Sequence, residues 1–219
     1  MNPKRTRQTA SVLAAVLFMA APAFSFDSPL SSESVREAYF LGQRNDNKMT
    51  QALAPYTKRL ALPERGPYIS EITLFTPYAQ IIDTSRQQSG HYNAQQAQQD
   101  YHDRGDTLLV FVRIEFTATY SYPQAVASAS RLAKEQGISL QPQDFWKDFR
   151  LGLSQDGSWI EPLSERAEAL YNRGEGGLGG AVVWVEFDAR DVASTEASVE
   201  VDTPDGQHVA VRFDLSRLR

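Results

Sequence analysis

The 219-residue chain has no cysteine, which removes disulfides, thiolate metal sites, iron–sulfur clusters and cysteine nucleophiles together. A lipid-modified cysteine behind a leader is excluded as well. Positive charge is in deficit: 22 Lys and Arg stand against 27 Asp and Glu, a net charge of −5. Nothing electrostatic therefore favours nucleic-acid binding. Histidine is scarce, with three residues, His91, His102 and His208. Hydrolase signatures are missing too, since the chain holds neither a G-x-S-x-G elbow nor an S-x-x-K pair.

What is present begins with a leader pattern. Lys4, Arg5 and Arg7 precede the short apolar stretch Ser11 to Ala21, and Ala21-Pro22-Ala23 places small residues at −3 and −1 of a cleavage site. The stretch falls short of the ~20 residues that span a bilayer, so residues 1–23 are expected to be a cleaved signal peptide, with Ser25 an alternative cut. Removing them takes away three basic residues and no acidic ones, leaving 196 residues of net charge −8. A chain of that size buries roughly 70% of the surface its unfolded form exposes, enough for one core. No second long apolar run follows, so the mature chain is expected to lack a transmembrane segment. Without cysteine or an N-x-S/T sequon after the leader, it suits a bacterial periplasmic or extracellular setting.

Residues 24–66 read as helical. Ser34-x-x-Glu37 resembles a capping box, with Ser31 and Ser32 as alternative openings, and Gly42 is a natural stop. A second helix is expected from Asp46, limited by Pro55. Leu62-Pro63 and Gly66-Pro67 mark a boundary, after which the apolar period changes from 3.6 to 2. Ile72, Leu74 and Thr76 alternate with Glu71, Thr73 and Phe75 until Pro77, which reads as a strand edge or bulge. A glutamine-rich insertion follows, Arg86 to Arg104, with a helix opened by Asn93.

Val110, Val112, Ile114 and Phe116 form the clearest strand, with Arg113, Glu115 and Thr117 on its other face. Phe145, Phe149, Leu151 and Leu153 predict a third strand, and Val183, Val185 and Phe187 a fourth. Val199 and Val201 lead through Thr203-Pro204-Asp205-Gly206 into Val209, Val211 and Phe213, a hairpin. Segments 124–137 and 163–173 stay open between helix and irregular chain. Strands without regular helix alternation predict a mainly β protein, an antiparallel two-layer, immunoglobulin-like sandwich over 67–219 with an N-terminal helical segment.

Several patterns carry chemistry on paper. Gly174 to Gly179 spells G-x-G-x-x-G, but a strand follows it where a dinucleotide site needs a helix, so no cofactor is expected. Arg104-Gly105-Asp106 sits where turn residues belong. His91 and His102, with Asp100 and Asp103 nearby, lack metal-ligand spacing, so no metal is expected. Glu186/Asp188 and Glu200/Asp202 place two acids on one strand face, which suits glycosidase chemistry or simply a solvated face.

The sharpest oddity is Trp146 and Trp184, each read on a polar strand face among charges. Either the N-terminal helices cover them through Tyr39, Phe40 and Leu41, or they form an open aromatic patch for a glycan ring or a partner protein. Tyr120 and Tyr122 share that ambiguity.

Three stretches, Ser34 to Gly42, Thr76 to Gln80, and Thr203 to Gln207 with Phe213-Asp214-Leu215, together resemble a group of short, uncharacterised secreted bacterial proteins. The resemblance implies export and a single architecture, and carries no catalytic residues. The expected function is a non-catalytic binding or envelope-associated module, its partner an envelope protein or a glycan. The alternatives are a glycan- or cell-wall-acting hydrolase using Glu186 or Glu200, and a subunit of an envelope complex.

Overall fold

Period-2 alternation decides which residues leave water. Leu108, Val110, Val112 and Ile114 are all buried on one strand, as are Ala181, Val183, Val185 and Phe187 on its neighbour. Their alternates, Leu109, Phe111, Arg113 and Glu115 on the first and Val182, Trp184, Glu186 and Asp188 on the second, point to the opposite face. The computed structural model describes residues 26–44, 46–63, 66–88, 90, 92–117, 142–172 and 178–219. Residues 1–25, with the leader, and 118–141, with Tyr120, Tyr122 and segment 124–137, lie outside that description.

Two antiparallel sheets face each other. The first runs β1 (Thr57–Arg59), β2 (Pro67–Phe75), β3 (Thr107–Phe116), β7 (Leu178–Asp188), β6 (Ser164–Tyr171). The second runs β5 (Ser158–Ile160), β4 (Arg150–Gln155), β8 (Glu196–Asp202), β9 (His208–Asp214). Leaving β1 aside, the orders β2-β3-β7-β6 and β5-β4-β8-β9 are those of strands A-B-E-D and C′-C-F-G, the immunoglobulin-like topology. Between the sheets, β3 and β7 face Leu153, Val199, Val201 and Phe213 in one continuous core.

The helices form a second, smaller core. α1 (Ser32–Gly42) is capped by Ser31 Oγ, which accepts from the Ser34 amide at 3.1 Å. α2 (Asn47–Leu53) is capped by Asp46. α4 (Ala94–Arg104) opens with a reciprocal box: Asn93 Oδ1 accepts from the Gln96 amide at 2.9 Å, and Gln96 Oε1 accepts from the Asn93 amide at 2.9 Å. Val35, Ala38, Tyr78, Ile81, Ile82 and Ala97 close against one another, with Tyr39 and Leu41 packed at the margin. Arg219 ties this helical layer to the chain's other end, pairing with Glu37 at 2.7 Å and Asp27 at 3.2 Å and lying 4.6 Å from the centre of the Tyr78 ring.

Four expectations need correction. Pro77 does not end a strand at an edge or bulge; it is the first residue of α3 (Pro77–Gln87). There Thr76 Oγ1 caps the Ala79 amide and proline lacks only an N–H that a first turn leaves unpaired. The third strand begins at Arg150, because Phe145 and Trp146 sit in a 3-10 turn, Pro142–Asp148. Residues 164–171 of the open segment 163–173 are strand β6, an edge with little buried apolar surface to reveal it. Within the segment read as helical, Thr57–Arg59 is β1, edge strand of the larger sheet.

Gly42 marks the closest helix crossing. A Cβ there would stand 2.3 Å from Ile82 O and 2.7 Å from Ser85 Cβ, so α1 and α3 would have to separate. Gly42→Ala is expected to lower stability by about 1–3 kcal/mol, seen as a lower urea midpoint at unchanged m-value.

Candidate functional site

The outer face of the larger sheet is not bare. Strand register stacks its residues into rows, each running across the strands. One row is Thr57, Thr73, Phe111, Trp184 and Arg166; the next is Phe75, Leu109, Glu186 and Ser164. These rows floor a cleft of about 1040 Å³, walled by Met49 and Leu53 of α2 and by Gln80, Asp83 and Gln87 of α3.

The centre of the floor is aromatic and cationic. Trp184 meets Phe111 edge-to-face at 5.9 Å between centroids, and the Arg166 guanidinium lies 4.6 Å from the Trp184 ring centre. These are direct cross-strand neighbours, so the register itself assembles the stack. At the α3 end, buried Gln80 donates through Nε2 to Thr107 O at 2.7 Å and accepts through Oε1 from Arg104 at 3.0 Å. A fixed carboxamide thus holds the Arg104 guanidinium in place.

The acids of the cleft already have partners. Glu71 pairs with Arg59 at 3.2 Å, Asp83 with Arg86 at 2.6 Å, and Glu186 accepts from Ser164 Oγ at 2.9 Å. Glu71 and Glu186 stand two strands apart and four residues out of row, roughly 16 Å between backbones from sheet spacings. Asp188, two residues from Glu186, is held down to about 2 by its hydrogen bonds from Arg190, the side chain first and then the backbone amide. An acid kept ionised in this way is no proton donor.

The remaining sequence candidates are scattered. Trp146 is not on a strand face: it lies in the 3-10 turn, packs at the rim of the sandwich core and has Lys147 5.7 Å from its ring centre. It is not among the residues that line the cleft floored by Trp184. Tyr39, Phe40 and Leu41 do not cover either tryptophan, since Tyr39 and Leu41 join the helical core and Phe40 is 58% exposed. Glu200 and Asp202 face outward from the other sheet; Glu200 accepts from Ser154 Oγ and Asp202 contacts His208 at 2.7 Å. His102 is exposed beside Asp103 at 3.7 Å, and His91 lies outside the described residues. Gly105 caps α4 at φ +78°, while Asp106 accepts from Tyr101 Oη, the turn role expected of Gly-Asp. Residues 173–177 of the glycine-rich segment lie outside the described residues, and β7 follows directly from Leu178. Among the described residues no cluster of three or more His, Asp or Glu could hold a metal.

Sequence reasoning missed Phe111, Gln80 and Arg166, and read Arg104 only as part of a turn. Phe111 carried a readable signal, because it shares the polar face of β3 with Arg113 and Glu115, the same anomaly that singled out Trp184. Arg166 offered none while its segment remained unassigned.

Comparison of the chain with protein-family models, curated proteins and solved structures finds no match. Among the described residues no helix is long and apolar enough to cross a membrane.

Two outcomes follow from this geometry. Arg190→Ala is expected to return Asp188 from about 2 toward 3.8, read by carboxyl NMR titration. The stabilisation from the depressed value is present above the ordinary carboxylate pKa and is lost as pH falls through about 2. With Trp184 as sole indole, in a W146F/W159F background, Arg166→Ala is expected to increase acrylamide quenching, because the guanidinium covers the ring face.

Proposed function

We propose that the chain is an exported, non-catalytic binding module whose ligand occupies the cleft over the five-stranded sheet. The observation that carries this reading is the Phe111–Trp184–Arg166 row, placed by register on a cleft floor with two helices as walls. Aromatic groups beside an arginine, in a concave site, are the composition of binding surfaces. The leader pattern of residues 1–23 supports export to the periplasm or beyond.

The hydrolase alternative finds less support. Glu186 and Glu200 point outward from opposite sheets, so the sandwich separates them, and each accepts a hydrogen bond from a neighbouring serine.

Placing a photo-crosslinking benzoylphenylalanine at Thr50, exposed on the cleft wall, leaves the floor intact; the same probe at Ala210, on the outer face of the second sheet, is the control. Irradiation in exporting cells is expected to give a reproducible adduct from position 50 and none from 210. Equal adducts from both, or none from position 50, would remove the cleft as the site.

A further inference from the structure

The cleft's charge runs against that of the chain. The protein carries −5 overall, yet four arginines and three acids line the cleft. Two of those acids are consumed by Arg59 and Arg86. Among the described residues neither Arg104 nor Arg166 makes an ion pair; each is instead held in place by an uncharged partner, Gln80 for one and the Trp184 ring for the other. Of the three acids that line the cleft, Glu186 makes no ion pair among the described residues and accepts instead from Ser164. Two oriented guanidiniums with most of their N–H donors unspent present forks for carboxylates.

Between them lies an apolar surface: Phe75, Leu109 and Phe111 on the floor and Met49 and Leu53 on the wall. This composition separates a peptide from a sugar. A sugar ring stacks on an open aromatic face, and here the Arg166 guanidinium lies over the Trp184 ring. Aliphatic walls receive apolar side chains, which a glycan lacks.

We infer that the cleft binds an extended acidic peptide segment of a partner protein, with carboxylates at Arg104 and Arg166 and large apolar side chains between them. This inference rests on the cleft being the binding site proposed above. Arg104 is two hydrogen bonds from Thr107 O. From Thr107 to the Phe111–Arg166 row is four residues along β3 and two strands across, roughly 16 Å. An extended chain covers that distance in about five residues.

The test uses the mature protein and a positional-scanning library of acetylated octapeptides, with bound peptides identified by mass spectrometry. The expected result is enrichment of Asp or Glu at two positions about five apart, with Leu, Met or Phe between. Arg104→Gln and Arg166→Gln are each expected to weaken the selected peptide about fivefold, the scale of an exposed charge pair. Arg36→Gln, exposed on α1 away from the cleft, is expected to leave it unchanged, and added salt to weaken it. Enrichment of neutral or basic peptides, or an equal loss in all three variants, overturns the inference. Binding of tetragalacturonate with no peptide selected overturns the peptide assignment and keeps the binding site. Failure of both ligands, together with equal crosslinking from positions 50 and 210, overturns the site itself.

Discussion

The register between β3 and β7 is the constraint on which the rest depends. It sets Val110 opposite Val185 on the face that meets the second sheet, and Phe111 opposite Trp184 on the face that floors the cleft. Because side chains alternate with a period of two, a slip of one residue would exchange these sets. On the strand that slips, the aromatic residue would then enter the core and the valines would face water. The apolar core that keeps the sheets together is thus also what aims the stack outward. Core and cleft are two readings of one alignment.

That dual role explains which parts of the molecule the sequence discloses. Within 107–119, 181–188 and the terminal hairpin the apolar residues recur largely at every second position, so their faces are assigned from the residues alone. The Asn93 cap is likewise a local rule, satisfied within four residues. Pro77 fails by the same locality: a proline after Thr76 fits a strand end and a helix start equally, and burial of Tyr78, Ile81 and Ile82 against α1 decides for the helix. β6 is illegible for a different reason, since an edge strand with one mainly exposed face carries no strong period. Trp184 could be singled out from its own strand, but the arginine over its ring lies on another strand and the walls on two helices. Only register and the docking of those helices bring them together.

The electrostatics of the cleft are likewise set by non-local placement. Gln80 is buried and satisfied on both sides, by Thr107 O and by Arg104. A neutral amide in that place fixes a guanidinium without cancelling its charge, as a carboxylate would. Trp184 does the same for Arg166 through its ring face. Arg59 and Arg86, at the same cleft, have carboxylate partners instead. The lining therefore holds two kinds of arginine, those already neutralised and those merely oriented.

The insertion between β2 and β3 has a kinetic consequence. These antiparallel neighbours, which a two-residue turn could join, are separated by the 31 residues from 76 to 106. Closing a flexible loop of that length costs about 2 kcal/mol more than closing a two-residue one. Two capped helices that have found each other and α1 shorten the effective path between strand ends. A helical cluster formed before the strands pair, though peripheral to the sandwich, would reduce the entropy lost in closing that loop. Mutations that loosen it should slow folding more than its small buried area suggests.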